Sequence, residues 1–172
     1  MLLSIVVPVY NEEENIANFY KAVTDVMSGL TYDYELIYVD DGSSDSSAMI
    51  LREIAFNDKR VKVLLLARNF GHQTALTCGL DYAQGDAVIT MDGDMQHPPA
   101  LIPELIRLWE SGYDVVRTIR DSTDDASWAK SFTSKYYYKL MNKMADVPIV
   151  EGGSDFRLMN SKALGTLKRF RE

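Results

Sequence analysis

The sequence predicts an α/β fold with a mainly parallel sheet flanked by helices. Its 172 residues suit one globular domain, and an apolar fraction of 47% is enough to form a buried core. Short apolar runs rich in Ile and Val alternate with segments whose apolar positions recur at helical spacing. Strands that alternate with helices of about 10–15 residues are typical of βαβ units, which build parallel sheets.

Five strands are predicted, because short continuous apolar runs are typical of strands buried on both faces. They cover Leu3–Val9, Tyr34–Val39, Val61–Leu66, Ala87–Met91 and Val115–Thr118. The helical patterns between them end near Gly29 and Phe56, run from about Gln73 to Ala83, and run from Pro98 and Pro99 to Ser111. A C-terminal amphipathic helix is predicted over Lys130–Ala145.

The first two helices carry candidate caps. Asn11 and Glu14 have the spacing of a capping box, so we expect Asn11 to cap the first helix. Gly29 is expected to end that helix, since glycine is favoured just beyond a helix. Ser44 or Asp45 is expected to cap the second helix.

Charge and cysteine content exclude several classes of protein. A formal net charge of -7 argues against a nucleic-acid-binding protein, which normally has a basic surface. The single cysteine, Cys78, excludes an internal disulfide framework and suits a reducing compartment. The chain has no apolar run near the roughly 18 residues of a transmembrane helix, and Met1–Val9 lacks the basic start of a signal peptide. These features predict a soluble intracellular domain.

The charge is unevenly divided along the chain. Residues 1–115 contain 7 basic and 18 acidic residues, whereas residues 116–172 contain 11 basic and 7 acidic residues. This asymmetry indicates two halves with different tasks within one predicted domain, residues 1–172.

Polar side chains follow four of the predicted strands where each strand ends. Because ligands bind outside the carboxyl ends of strands in an open parallel sheet, we expect these groups to share one site. The clusters are Tyr10-Asn11-Glu12, Asp40-Asp41, Arg68-Asn69 and Asp92-Gly93-Asp94. Taken alone, the segment Asp40-Asp41-Gly42-Ser43 is equally typical of a turn followed by a helix cap.

The predicted site is acidic rather than glycine-rich. Neither the dinucleotide-binding nor the P-loop glycine pattern follows the first strand. Asp92 and Asp94 can instead hold a diphosphate through a divalent cation, because carboxylate oxygens suit Mg²⁺ and Mn²⁺. An isolated Asp-x-Asp is more often a simple turn, and His72 and His97 fit a structural role as well as a chemical one.

Four motifs resemble, in order and spacing, those of the inverting family 2 glycosyltransferases of the GT-A fold. They are Pro8-Val9-Tyr10-Asn11-Glu12, Val39-Asp40-Asp41-Gly42-Ser43-Ser44-Asp45, Asn69-Phe70-Gly71-His72-Gln73 and Met91-Asp92-Gly93-Asp94-Met95-Gln96-His97-Pro98-Pro99. The run from Asp94 to Pro99 and the run Gly153-Ser154-Asp155-Phe156-Arg157-Leu158-Met159 narrow the resemblance to the polyprenyl-phosphate glycosyltransferases, which include bactoprenol glucosyltransferases and dolichyl-phosphate mannosyltransferase. The resemblance covers essentially the whole chain and implies a Rossmann-like GT-A fold.

The resemblance implies a role for each matching residue. A nucleotide-sugar donor, expected to be a UDP-sugar, would be bound by Pro8, Tyr10, Glu12, Asp40, Asp41 and Asp92. Mg²⁺ or Mn²⁺ would be bound by Asp92, Asp94 and Gln96. The acceptor phosphate would be bound by Arg120, Lys130 and Ser134. The catalytic residues, which close over the reacting centre, would be Asp155 and Arg157.

The chemistry of these residues agrees with transfer of a hexose or N-acetylhexosamine to a polyprenyl phosphate. A divalent cation neutralises the charge of the departing nucleoside diphosphate. A lipid phosphate, with a second pKa of about 6, is largely ionised at pH 7 and needs positive charge to hold it more than it needs a general base. Asp155 is the candidate base, and for such an acceptor we expect it mainly to orient groups or to support the metal.

The segment Lys130–Ala145 combines an apolar and a basic stripe. The apolar stripe includes Phe132, Tyr136, Leu140 and Met144, and the basic stripe consists of Lys135, Lys139 and Lys143. This pattern is typical of a helix on a membrane surface, although an ordinary helix packed on the sheet fits it equally well. The resemblance favours the membrane, at its cytoplasmic face.

Two features depart from the family that the chain resembles. Asp121, Asp124 and Asp125 occupy a loop that is usually basic in relatives, which leaves the acceptor contact open. The two C-terminal transmembrane helices of bacterial relatives are expected to be absent from this chain, which alone would be soluble or peripheral.

Three other functions stay open beside transfer to a polyprenyl phosphate. They are a glycosyltransferase that acts on a hydroxyl of a saccharide or protein, a non-catalytic nucleotide-sugar-binding domain and a membrane-docking module. A homo-oligomer also stays open.

Overall fold

A computed structural model of the protein describes residues 1–119 and 153–169. The strands are β1 (Leu2–Val9), β2 (Asp33–Asp40), β3 (Val61–Leu65), β4 (Ala87–Thr90), β5 (Val115–Ile119) and β6 (Gly153–Asn160). The helices are α1 (Ile16–Ser28), α2 (Ser47–Asn57), α3 (His72–Tyr82), α4 (Ile102–Glu110) and α5 (Ser161–Leu167), with a 3₁₀ turn at Pro99–Leu101 before α4.

The strands form one six-stranded sheet in the order β3-β2-β1-β4-β6-β5. β1 pairs in parallel with β2 and β4, and β2 pairs in parallel with β3. β6 pairs with β4 in the antiparallel direction. The predicted α/β class with a mainly parallel sheet is therefore confirmed.

Alternate side chains of the central strands enter two separate core layers. Leu3, Ile5 and Val7 of β1 belong to the layer that α1, α2 and α4 cover. Val6 of β1 and Ile37 of β2 belong to the layer that α3 and α5 cover. Because helices cover both faces of the sheet, the central strands β1, β2 and β4 are mainly apolar, which is why they were predictable.

The predicted start of α1 is wrong, whereas its predicted end is confirmed. The helix begins at Ile16, five residues after the expected cap Asn11, and the carbonyl of Glu12 accepts the N–H groups of Asn15 and Ile16. Asn11 instead adopts a left-handed φ of 54° and bonds to another loop, so it does not cap the helix. Gly29 follows the last helical residue, as expected.

The predicted cap of α2 is also wrong. This helix begins at Ser47, and Ser46 rather than Ser44 or Asp45 precedes it. Asp45 nevertheless accepts the Ser47 N–H at 2.9 Å, so its carboxylate still satisfies one donor of the first turn.

Two observed elements have no counterpart in the predictions. β6 contains Asp155 and Arg157 among its apolar residues, so its sequence is not the apolar run that indicates a buried strand. α5 follows it directly, and the Asn160 side chain caps this helix by accepting the Ala163 N–H at 2.8 Å. The amphipathic helix predicted over Lys130–Ala145 lies outside the described residues.

The chain divides into two compact units. The first comprises Met1–Val116 with Asp155–Glu172, and the second comprises Arg117–Ser154. The sites discussed below belong to the first unit. The single domain with halves 1–115 and 116–172 stays a prediction. Of the helices in the described ranges, none is long and apolar enough to cross a membrane.

Candidate functional site

The carboxyl ends of β1, β2 and β4 meet at one edge of the sheet, and β6 begins at the same edge. Because β6 is antiparallel to β4, its Arg157 lies opposite Thr90, the last residue of β4. The Thr90 hydroxyl donates a hydrogen bond to the carbonyl of Asp155. Asp155 and Arg157, although distant in the sequence from β4, thereby lie beside the carboxyl end of that strand.

A cavity of about 250 Å³ opens at this edge. All four polar clusters that were expected to converge contribute to its wall. The lining residues are Pro8, Val9, Tyr10, Glu12, Asp41, Asn69, His72, Ala75, Asp92, Gly93 and Asp94. Among them, the residues predicted to bind nucleotide or metal are Pro8, Tyr10, Glu12, Asp41, Asp92 and Asp94.

The loop after β1 is bonded to the loop after β2 on one side of the cavity. The Asn11 N–H donates to Ser43 Oγ at 2.9 Å, and Asn11 Oδ1 accepts the Ser44 N–H at 2.8 Å. The next N–H, that of Glu12, donates to the hydroxyl of buried Ser47 at 2.9 Å. These bonds hold Glu12 at the cavity, and two of the residues that form them, Asn11 and Ser44, are ones that the sequence suggested as helix caps.

The two acidic residues at the end of β2 are both buried, but they differ in their relation to the cavity. Asp41 lines the cavity, and its oxygens accept the N–H groups of Phe70 and Gly71 at 2.7 and 2.8 Å. Asp40 accepts the Ser43 N–H at 3.3 Å, as expected of a turn, and does not line the cavity. The nucleotide-binding role of both residues stays a prediction.

Asp92 and Asp94 follow β4 in a tight turn and both line the cavity. Asp94 Oδ1 accepts the backbone N–H of Gln96 at 3.0 Å, which holds the turn closed. Gly93 packs closely on β1, where an added Cβ would lie 3.3 Å from Val7 Cγ1. Gln96 supplies its backbone to this turn and does not line the cavity, so its role as a metal ligand stays a prediction.

His72 joins two carboxylates at the cavity. Its Nε2 lies 3.2 Å from Asp155 Oδ2 and 3.7 Å from Asp92 Oδ1. On the other side of Asp155, Arg157 Nη2 donates to Oδ1 at 2.8 Å. His97 Nδ1 approaches the second oxygen of Asp92 at 3.5 Å. Asp155 and Arg157, predicted as a pair, thus lie in contact with each other, and His72 links Asp155 to Asp92.

Burial raises the pKa of the Asp92 carboxyl above its ordinary value. Electrostatic interaction with His72 and His97 opposes this shift, whereas repulsion from Asp94 and Asp155 adds to it. The negative charge of Asp92 is therefore incompletely compensated by the protein, and a bound cation would stabilise it.

The donor set fits a hard divalent cation that binds together with a diphosphate. Asp92 and Asp94 present carboxylate oxygens at the cavity, and Mg²⁺ commonly takes about one or two carboxylates together with phosphate oxygens and water. Within residues 1–119 and 153–169, no three His, Cys, Asp or Glu side chains form a metal cluster by themselves.

Asn69 and His72 line the cavity, although neither was among the predicted nucleotide-binding, metal-binding or catalytic residues. Both belong to the motif Asn69-Phe70-Gly71-His72-Gln73, which follows β3 and was the sequence signal that could have indicated them. The contact of His72 with Asp155 joins residues 83 positions apart, so no local spacing indicates it. The predicted acceptor residues Arg120, Lys130 and Ser134 lie outside the described ranges.

Residues 4–167 match the family described as Glycosyl transferase family 2. The chain belongs to this family, and the resemblance seen in its motifs is confirmed.

Individual relatives agree with the family match. The chain is 46% identical over 169 residues to the uncharacterized glycosyltransferase YkcC of Bacillus subtilis (strain 168), covering 98% of this chain and 52% of that protein. It is 41% identical over 168 residues to the bactoprenol glucosyl transferase of Shigella phage SfV, covering 98% of this chain and 55% of that protein. The chain thus spans about half the length of these curated relatives.

A solved structure confirms the GT-A glycosyltransferase fold. The mannosyltransferase PcManGT from Pyrobaculum calidifontis, in complex with GDP-Man and Mn²⁺, superposes with a TM-score of 0.67 at 19% sequence identity. The superposition covers 96% of this chain and 46% of that chain.

Proposed function

We propose that this chain is the catalytic part of an inverting, metal-dependent glycosyltransferase. It transfers a hexose or N-acetylhexosamine from a nucleotide sugar, with a UDP-sugar as the expected donor, to a polyprenyl phosphate. The observation that carries this proposal is the cavity at the strand ends, which Asp92 and Asp94 line and where His72 links Asp92 to the Asp155–Arg157 pair. The match to a bactoprenol glucosyl transferase over 98% of this chain supports the lipid acceptor.

The donor binds along the acidic wall of the cavity. Tyr10, which is half-exposed, offers an aromatic ring there, and Glu12 and Asp41 offer hydrogen-bond acceptors for ribose hydroxyls or base N–H groups. Asp92 and Asp94 would hold Mg²⁺ or Mn²⁺ against the diphosphate. When bound, the cation neutralises charge that develops on the departing nucleoside diphosphate.

The transfer step exchanges one bond at the anomeric carbon for another. A phosphate oxygen of the acceptor forms the new bond while the bond to the diphosphate oxygen breaks, and its electron pair leaves with the nucleoside diphosphate. Attack from the face opposite the leaving group inverts the anomeric centre. The acceptor is already ionised at neutral pH, so Asp155 orients the reacting groups and need not remove a proton.

A lipid acceptor places the reaction at a membrane surface, on its cytoplasmic face. The basic stripe Lys135, Lys139 and Lys143 is the segment that we propose contacts it. Replacing all three by Glu should weaken association with anionic vesicles, since each basic residue contributes about 1 kcal/mol near such a surface. Unchanged vesicle binding would assign this segment to ordinary packing.

The function is tested by supplying the purified chain with Mn²⁺ and UDP-glucose, UDP-GlcNAc or GDP-mannose. Each donor is offered with undecaprenyl phosphate in detergent or with soluble saccharides, and the products are separated by chromatography. We expect transfer to the lipid phosphate. Transfer to saccharides alone would identify a hydroxyl-directed glycosyltransferase, and Mn²⁺-dependent nucleotide binding without any transfer would identify a binding domain.

A further inference from the structure

The backbone of His72 has a rigid support at the edge of the sheet. His72 is the first residue of α3, and Gly71 before it has a φ of 95°. The Gly71 N–H donates to Oδ2 of Asp41 at 2.8 Å, and Asp41 is buried at the end of β2. The histidine is therefore anchored to one strand end.

The side chain of His72 reaches two other strands from that support. Its Nε2 lies 3.2 Å from Asp155 of β6 and 3.7 Å from Asp92, which follows β4. One ring nitrogen thus contacts both the carboxylate predicted to act in catalysis and a carboxylate predicted to hold nucleotide and metal. The ring is partly exposed because it also forms part of the cavity wall.

Asp155 is held from two sides. Arg157 donates to Oδ1 at 2.8 Å, and His72 lies at hydrogen-bond distance from Oδ2. Carboxylate oxygens accept hydrogen bonds, so the His72 Nε2 must carry a proton for this contact to be favourable. Two donors on different oxygens restrict rotation of the carboxylate, whereas one donor leaves it free to turn.

We propose that His72 is a positioning residue for glycosyl transfer, which holds the Asp155 carboxylate beside Asp92 at the donor cavity. This inference rests on the proposed function. A misplacement of about 1 Å in a reacting group can lower the rate about 100-fold, so loss of this contact should affect turnover more than donor binding.

Steady-state kinetics test the role in turnover. We expect His72→Ala to lower kcat about 10- to 100-fold, with the donor KM changed less than about threefold. His72→Gln, whose amide N–H can reach the same oxygen, should recover most of the lost kcat. Thr77→Ala removes an exposed hydroxyl from the same helix and should retain wild-type kinetics. A wild-type kcat in His72→Ala, or a change confined to KM, would overturn the proposal.

Nuclear magnetic resonance tests the contact without turnover. The chain contains two histidines, so ¹⁵N-histidine labelling and a His97→Gln variant assign the His72 ring. We expect a proton on Nε2 and a displaced Nε2 resonance in Asp155→Asn. An unprotonated His72 Nε2, or an Nε2 resonance that is unchanged in Asp155→Asn, would disprove the contact. Failure of the wild-type protein to use any acceptor would instead disprove the proposed function, so the two failures are distinguishable.

Discussion

The backbone N–H of Gly71 donates a hydrogen bond to Oδ2 of Asp41 at 2.8 Å and joins the start of α3 to the end of β2. The N–H of Phe70 donates to the other oxygen at 2.7 Å. Asp41 is only 3% exposed, so water cannot replace these bonds. The carboxylate therefore supports the loop that carries Asn69 and His72 to the cavity, besides lining the cavity itself.

We expect Asp41→Asn to lower the free energy of unfolding by about 2 kcal/mol, because hydrogen bonds to a buried charged group are stronger than average. The asparagine would turn an NH₂ group toward one of the two backbone donors. Urea denaturation measures the loss. Asp25→Asn is the matched control, because it breaks an exposed pair with Lys21 and should cost less than about 0.5 kcal/mol. Equal losses in the two variants would contradict this role.

The loop after β3 passes so close to Gly42 that a side chain does not fit at this position. Its φ is 68°, and a Cβ there would lie 2.5 Å from the carbonyl carbon of Arg68. Gly42→Ala should therefore lower the free energy of unfolding by about 2–3 kcal/mol, through backbone strain and steric overlap. Gly165→Ala, in α5 with no atom within 4 Å of the added Cβ, should raise it by about 0.5–1 kcal/mol. Thermal unfolding should show opposite signs for the two substitutions, and equal signs would contradict the assignment.

The extent to which the fold was predictable follows from how each segment is buried. β1 and β2 have helices on both faces, so most of their residues are apolar and the strands are visible in the sequence. β6 contains the polar residues Asp155 and Arg157, so its sequence lacks the apolar run that indicates a buried strand. The wrong helix caps have a similar cause, because Asn11 bonds to residues more than thirty positions away.

The candidate site was predictable where a group follows its own strand and unpredictable where two distant segments meet. Asp92 and Asp94 follow β4 directly, so their spacing already indicates a shared cleft. The contact between His72 and Asp155 depends on the antiparallel insertion of β6 next to β4, which no local pattern indicates.

Glu35 supplies a pH-dependent contribution to stability at the end of the sheet opposite the cavity. It is only 5% exposed, and burial alone would raise the pKa of its carboxyl. Hydrogen bonds from Lys62, the Ser4 hydroxyl and the Gln84 N–H outweigh burial, and the pKa is lowered from its ordinary value of 4.5. The stabilisation is therefore fully present above pH 4.5 and is lost as the pH falls through the lowered pKa.

We expect Glu35→Gln to lower the free energy of unfolding by about 2 kcal/mol at pH 7, with the difference from wild type shrinking below about pH 4.5. Urea denaturation at a series of pH values measures both effects. Glu53→Gln, an exposed carboxyl on α2, is the control and should stay close to wild type throughout. A Glu35→Gln difference that is constant from pH 7 to pH 3 would contradict the network.

Asp94 has two tasks that substitutions can separate: it closes the turn through the Gln96 N–H, and it presents a carboxylate at the cavity. Asp94→Ala removes both, whereas Asp94→Asn keeps an oxygen for the turn and loses the charge. If Asp94 holds the cation, both variants should bind UDP with Mn²⁺ at least about tenfold more weakly, a loss of about 1.4 kcal/mol, because a cation ligand is weakened or lost. Binding of UDP without metal should change little, since the proposed ribose and base contacts of Tyr10, Glu12 and Asp41 do not involve the Asp94 carboxylate. Isothermal titration calorimetry measures both affinities, and Glu104→Ala, an exposed carboxylate on α4, is the control. An Asn variant that binds UDP with Mn²⁺ as tightly as wild type, beside a weakened Ala variant, would show that the turn alone matters and that Asp94 is not a metal ligand.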